Sequence, residues 1–362
     1  MTAGHEAGRP EDGDDPARGR GDPAQEGAHP PREGWSPTRP TRDVPCLVVP
    51  ATPHTDLSAS ATELSPAARR NPIGTHVPVG KGLVAGALAT ARDLDCEALQ
   101  IFAGNPRGWA LSVGKPADDA AFREALAQEG LRAFIHAPYL VNLGSPTPAT
   151  YEKSVVTVAH NLLRAAQTGC EGVVVHTGSF VDASGDPGLF DAALRQVREG
   201  LLPVLETLGD DAAPWLLLEP TAGQGRSLCA GIEDLHGYLE ALDLHPKAGI
   251  CLDTCHVFAA GEPLDEEGGA TAAVDRIVEI GGSGRLRLIH ANDSMDVRGA
   301  FKDRHQQIGQ GHIGTGAFRE LFAHPETAGV PFILETPGSR DAGYPDIALL
   351  KELRAQAGQA AT

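Results

Sequence analysis

Gly172-Val-Val-Val-His176, Trp215-Leu-Leu-Leu-Glu219 and Gly249-Ile-Cys-Leu-Asp253 are three short apolar runs, and each closes on a side chain that can bind a metal. Similar runs occur at Ile73 to Val77, Ala98 to Phe102, Arg132 to His136, Leu286 to His290 and Phe332 to Glu335. Between them lie amphipathic stretches. Tyr151 to Thr168 repeats Val155, Val158, Ala159, Leu162, Leu163 and Ala166 at helical spacing, and Leu189 to Leu208 does the same with Ala193, Leu194, Val197, Leu201, Val204 and Leu205. Alternation of this kind signals βαβ units and a parallel sheet. Eight such units predict an α/β protein built as one (β/α)8 TIM barrel over residues 71–358, a little longer than the roughly 250 residues usual for that fold.

The first 70 residues read differently. They hold 11 of the 28 prolines and 7 of the 43 glycines among mixed charges, with one brief apolar run at Leu47 to Val49, a composition that predicts a disordered, Pro/Gly-rich acidic tail. No stretch approaches the roughly 18 to 20 apolar residues that span a bilayer, and the N-terminus lacks the apolar core of a secretory signal, so the expectation is a soluble, cytoplasmic protein with no membrane partner. Six cysteines at irregular spacing do not make a disulfide framework and point to a reducing compartment, and Cys251 with Cys255 is too weak a pair for a zinc knuckle. The net charge of −18 argues against a nucleic-acid partner. That argument loses force if several of the carboxylates are neutralised by metals and a local Arg/Lys rim faces the ligand.

The strand ends carry the chemistry. Strands three to eight finish at His136, His176, Glu219, Asp253, His290 and Glu335, and strand one at His76. In a barrel the C-terminal ends of the strands converge on one mouth, so these residues become neighbours although 34 to 45 positions separate them along the chain. Val174, Leu217, Cys251, Leu288 and Ile333 stand two residues earlier on the same face, which places the polar ends above an apolar interior. One such histidine alone is most often a strand-end residue bonded to a carbonyl. Three histidines, two glutamates and an aspartate together would leave charged and desolvated groups uncompensated unless cations join them. His256 in Asp-Thr-Cys-His, and Asp303 with His305 in Asp-Arg-His, add donors in the following loops. Mixed imidazole and carboxylate donors without thiolate suit zinc or manganese in an open, catalytic site, and Glu219 is the natural bridge between two ions.

At these residues the sequence resembles the endonuclease IV family of apurinic/apyrimidinic endonucleases. The matching blocks are Gly-Thr-His-Val near position 76, His-Ala-Pro-Tyr-Leu-Val-Asn-Leu-Gly from 136, Glu-Pro-Thr-Ala-Gly-Gln-Gly from 219, Leu-Asp-Thr-Cys-His-Val-Phe-Ala-Ala-Gly from 252, His-Ala-Asn-Asp-Ser from 290, and Asp-Arg-His through Gly-Gln-Gly-His-Ile-Gly from 303. They run in family order and cover essentially everything after residue 71. The resemblance implies a trinuclear zinc site, with manganese admitted at some positions. His136 and His176 would hold the first ion with Glu219 bridging, Asp253, His290 and Glu335 the second, and His256, Asp303 and His305 the third. Pro220 replaces a polar residue common after the bridging Glu, and Pro78, Val79 and Lys81 alter the turn after His76. Neither change removes a ligand, and the tail before residue 71 has no counterpart in the family.

The resemblance also implies the reaction: hydrolysis of double-stranded DNA 5′ to an abasic site in base-excision repair, leaving a 3′-hydroxyl and a 5′-deoxyribose phosphate. Glu219 and Glu335 would be its catalytic carboxylates. Zinc brings the pKa of water to about 7, so no side-chain nucleophile is required, and Ser179 reads as a loop serine. Arg107, Tyr139 and Leu140 would enter the DNA at the lesion, where an aromatic ring replaces lost stacking. Arg304, between two ligands, and Gln224 are placed to reach phosphates, whereas Lys302 and Arg298 read as ordinary solvated charges. A monomer without an obligate protein partner is the expectation. The alternative reading is a single-metal sugar isomerase or epimerase of the xylose-isomerase-like barrels, which Glu219, Asp253, His290 and Glu335 alone would fit. Such an enzyme has no evident use for the other five ligands. A third reading, a noncatalytic metal-stabilised binding protein, requires coordinatively closed sites.

Overall fold

The computed structural model describes residues 70–180, 188–209, 213–338 and 344–360. Apart from Arg70, the tail expected over residues 1–70 lies outside the described residues. The barrel strands are β1 (Ile73–His76), β2 (Ala98–Phe102), β3 (Arg132–His136), β4 (Gly172–His176), β5 (Trp215–Glu219), β6 (Ala248–Asp253), β7 (Leu286–His290) and β8 (Phe332–Leu334). They close in the order β1-β8-β7-β6-β5-β4-β3-β2, with every pairing parallel.

Two strand ends differ from the sequence expectation. β1 stops at His76 rather than Val77, because Pro78 has no N–H with which to continue the ladder. β8 stops at Leu334, since the Glu335 N–H donates to Asn292 Oδ1 at 2.9 Å instead of to a neighbouring strand. Glu335 therefore sits one residue beyond its strand and not at its end. β6 begins one residue early, at Ala248.

Inside the barrel Ala98, Phe134, Val174, Leu217, Cys251, Leu288 and Ile333 form one apolar layer, each essentially without solvent exposure. The place on β1 in register with Ala98 and Ile333 belongs to Gly74, where an added Cβ would lie 1.6 Å from the Ala98 carbonyl oxygen. Below this layer the register of β6 against β7 jumps from Ile250↔Leu286 to Cys251↔Leu288, and Arg287 is the extra residue. A bulge of this kind re-aims a side chain. The Arg287 side chain lies close to Gly249, with its guanidinium carbon 3.9 Å from the centre of the Trp215 ring, and the two residues floor the barrel.

The outer shell includes α1 (Ala89–Asp93), α2 (Pro116–Glu129), α3 (Pro148–Thr168), α4 (Gly188–Leu205) and α5 (Leu235–Ala241). α3 starts one turn before Tyr151, because Pro148 fits the first helical turn, where its missing N–H costs nothing. α4 ends at Leu205 instead of Leu208. Arg164 on α3 forms a buried, two-pronged ion pair with Asp119 on α2, both bonds 2.7 Å. Among the described residues no helix is long and apolar enough to cross a membrane.

Candidate active site

The C-terminal strand ends meet at a cavity of about 150 Å³ lined by His76, Phe102, His136, Tyr139, His176, His256, Asp303, His305 and Glu335. Glu219, fully buried, stands at its base. Glu219 Oε2 is 3.3 Å from His136 Nε2 and 3.2 Å from His176 Nε2, while Oε1 is 2.7 Å from His290 Nδ1. His290 Nδ1 is also 3.4 Å from Glu335 Oε2 and 3.8 Å from Asp253 Oδ2. On the far side Asp303 Oδ1 lies 3.3 Å from His256 Nε2 and 3.1 Å from His305 Nε2. Among the described residues donor atoms lie within 4.8 Å of one another in five overlapping sets: His136, His176 and Glu219; Glu219, Asp253, His290 and Glu335; His256, Asp303 and His305; Glu219, Cys251 and His290; and Asp253, Cys255 and His305. All nine residues named from the sequence fall within these sets.

Local structure explains how each arrives. The barrel ladders deliver His136, His176, Glu219, Asp253 and His290. Asp253 also caps α6 (Thr254–Ala260), accepting from the His256 N–H at 3.0 Å, and this turns His256 back toward the mouth. His305 arrives on a two-residue antiparallel ladder in which His305–Gln306 pairs with Asp293–Ser294.

Burial pushes the Glu219 carboxyl up, but the imidazoles of His290, His176 and His136 outweigh it and hold it well below the usual carboxylate range. Burial likewise pushes His290 down, and nearby Glu335 and Glu219 help to bring it well above its ordinary value. His305, opposed by burial but facing Asp253 and Asp303, is raised to about 9. Imidazolium and carboxylate compensate one another in this way only while no metal is bound; a divalent cation would take the place of the shared protons. Among the described residues the buried His305 Nε2 has only ion-pair contacts, the nearest to Asp303 Oδ1 at 3.1 Å. A ligand nitrogen in that position suits a metal. Cys251 also lies beside Glu219 and His290, but burial pushes its thiol up to about 12, so it remains a thiol.

Gln100, not singled out from the sequence, lies at the centre of the cluster. Its Nε2 donates to Glu335 Oε1 at 2.7 Å and to His76 Nδ1 at 3.1 Å, and its Oε1 accepts from His290 Nε2 at 2.9 Å. Alternation could have found it: Gln100 is the polar residue of Ala-Leu-Gln-Ile-Phe and stands two positions after inward-facing Ala98. Asn292 plays a similar part, donating from Nδ2 to Asp253 Oδ2 at 2.7 Å.

Of the candidate DNA-facing residues, Tyr139 lines the cavity. Tyr139 and Leu140 are 55% and 37% exposed. The Tyr139 ring rests 5.3 Å from Phe102 and 6.3 Å from His176, centre to centre. The Tyr139 N–H donates to the Pro106 carbonyl at 3.1 Å, which ties this loop to the one bearing exposed Arg107. Gln224 is exposed in the loop after β5. Arg304 is paired through both prongs with Asp296, its Nε donating at 2.6 Å, so contact with a phosphate requires an exchange of partners. Arg298 is paired with Glu266 at 2.7 Å and Lys302 with Asp296 at 3.4 Å. Ser179 forms an isolated bridge with Ser227 in the loops above β4 and β5.

Residues 88–357 match the xylose isomerase-like TIM barrel family. A probable endonuclease 4 of Streptomyces coelicolor is 54% identical over 285 residues, covering 79% of this chain and 96% of that protein. Endonuclease 4 of Thermus thermophilus is 41% identical over 267 residues, covering 73% of this chain and 91% of the relative. A crystal structure of endonuclease IV from Thermus thermophilus superposes with a TM-score of 0.66 at 35% identity, over 80% of this chain and 99% of that one. A D-tagatose 3-epimerase-like protein, at 18% identity and a TM-score of 0.62, shares the fold. The chain belongs to the endonuclease 4 family, a group of nucleases built on the xylose isomerase-like TIM barrel.

Proposed function

We propose that this chain hydrolyses the phosphodiester 5′ to an abasic site in double-stranded DNA, leaving a 3′-hydroxyl and a 5′-deoxyribose phosphate, and that it does so with three divalent metals, zinc above all. The observation that carries the reading is the cluster of nine imidazole and carboxylate side chains whose donor atoms crowd together around one open mouth. Bound metals supply Lewis acidity, a nucleophile at neutral pH and neutralisation of phosphoryl charge. His136 and His176 hold the first, Asp253, His290 and Glu335 the second, and His256, Asp303 and His305 the third, with Glu219 shared between the first two.

The chain's own residues position the substrate and keep the chemistry in place. Glu335, braced by Gln100, presents a carboxylate at the edge of the cavity, where it can orient the attacking water. Tyr139 and Leu140 offer apolar surface to the gap left by a missing base, and Arg107, on the loop bonded to Tyr139, offers a cation to the backbone beside it. Arg304, by exchanging Asp296 for a phosphate, and Gln224 contact the backbone.

The test is metal analysis of the purified chain together with nicking of a duplex that holds one abasic analogue. The expected result is about three zinc ions and a single cut that leaves a 3′-hydroxyl; in the Glu219→Gln variant, turnover is lost and metal occupancy falls. One bound ion with no nicking under any metal supplementation would favour a sugar isomerase or epimerase, for which Glu219, Asp253, His290 and Glu335 suffice.

A further inference from the structure

Asp293 has no exposed surface and is not among the ligands, yet its carboxylate is the most heavily bonded group around the mouth. Five backbone amides donate to it. Oδ1 accepts from Ser294 at 2.8 Å and Ile313 at 2.9 Å; Oδ2 accepts from Gly309 at 2.8 Å, Gly311 at 3.2 Å and Gly314 at 3.3 Å. Curling residues 309–314 around one anion demands glycine. Gly309 and Gly314 have φ of 77° and 75°, and a Cβ on Gly311 would lie 2.3 Å from the Ser294 carbonyl oxygen and 2.5 Å from Asp293 Oδ1. A concavity of successive N–H groups is an anion site, and here the chain's own carboxylate fills it.

The other edge of the Asp293–Ser294 segment carries the ligands. Ser294 pairs with His305, and the Met295 N–H donates to the Arg304 carbonyl at 3.0 Å. On the loop side the His312 N–H donates to the Ser294 carbonyl at 2.9 Å. The segment from Asp303 to Gly314 is held at Asp293 and Ser294, and also where the Ile308 N–H donates to Asp346 Oδ2 at 3.2 Å and Gln307 Nε2 donates to the Pro337 carbonyl at 3.4 Å, whereas five of the other ligands stand on barrel strands. We infer that Asp293 is the positioning residue of the third metal group, fixing Asp303 and His305 through the nested loop while the barrel fixes the other two groups. This rests on the three-metal reading above. Asp293→Asn removes the charge and turns one acceptor into an amide that faces N–H donors. Outer partners of metal ligands are typically worth roughly 10- to 100-fold in metal affinity.

The experiment uses the full chain, wild type beside Asp293→Asn and Gly311→Ala. Each is saturated with zinc and dialysed against a graded series of zinc–chelator buffers, and bound zinc is counted. Each is also stripped of metal and treated with trypsin, which can cut after Lys302 and Arg304. The expected result is selective loss of one zinc in both variants, at free zinc roughly 10- to 100-fold above the wild-type value, with two retained. Trypsin is expected to cut the loop faster in both variants even without metal. Retention of three ions with wild-type affinity would overturn the inference, and so would parallel loss of all three. Should Asp293→Asn not fold, Gly311→Ala decides on the same criteria. If the wild type itself holds fewer than three zinc ions, the three-metal reading fails by that count. The trypsin arm then decides whether Asp293 anchors the loop, with unchanged cleavage overturning it.

Discussion

Replacing Gln100 by Leu preserves most of the side-chain volume and removes both halves of the amide. Three contacts disappear: those to Glu335 Oε1, His76 Nδ1 and His290 Nε2. A buried polar group left without its partner costs about 1–3 kcal/mol. His290 is fully buried and bears the full cost, whereas Glu335 and His76 line the cavity and can turn partly to water. The expected loss in the metal-stripped protein is therefore about 2–4 kcal/mol, one full penalty with fractions of two more. In the metal-loaded protein Gln100 braces Glu335 and His290, both assigned to the second ion, so affinity there is expected to drop by roughly 10- to 100-fold. Urea unfolding of stripped protein measures the first quantity, and zinc competition against a chelator the second. A Leu variant within about 0.5 kcal/mol of wild type, the range of ordinary surface changes, and with unaltered zinc affinity, would refute the bracing role.

Tyr139→Ala is expected to weaken binding of abasic duplex by roughly 1–3 kcal/mol, the worth of one stacking contact, with the zinc count unchanged; titration against abasic and intact duplexes checks it, and an unaltered preference would remove Tyr139 from lesion recognition. Asp119→Ala is expected to cost about 3–5 kcal/mol by stranding Arg164 between α2 and α3, whereas Asp119→Ala with Arg164→Met should recover much of that loss. Urea unfolding of the single and double variants distinguishes the two, and equal losses would mean that the ion pair matters for shape alone.

The barrel was legible because its strands are apolar runs that end on ligands, and because Val174, Leu217, Cys251, Leu288 and Ile333 keep a period of two down to one interior layer. Six of the nine clustered residues, His136, His176, Glu219, Asp253, His290 and Glu335, were legible for the same reason, since a closed parallel sheet brings strand ends to one mouth, whereas His256, Asp303 and His305 were legible from Asp-Thr-Cys-His and Asp-Arg-His in the loops that follow. Gln100 escaped because a neutral amide is no metal ligand, although its place in the alternation marks it. The nest around Asp293 was out of reach for another reason. Its donors are backbone amides, and their convergence depends on φ angles at Gly309 and Gly314 that the side-chain pattern does not encode. The bulge at Arg287 was equally hidden, because an arginine inside Leu-Arg-Leu reads as an outward-facing strand residue until the register slips.

That slip governs traffic through the molecule. Arg287 lying over Trp215 and the dry layer of side chains above them fill the barrel beneath the ligands, so among the described residues the cluster opens to solvent at the mouth. Any duplex seated on that mouth would therefore lie across the route by which metals leave. On the proposed reading, a chelator competes with the substrate for the same doorway, and the enzyme holds its ions most securely while it is engaged on DNA.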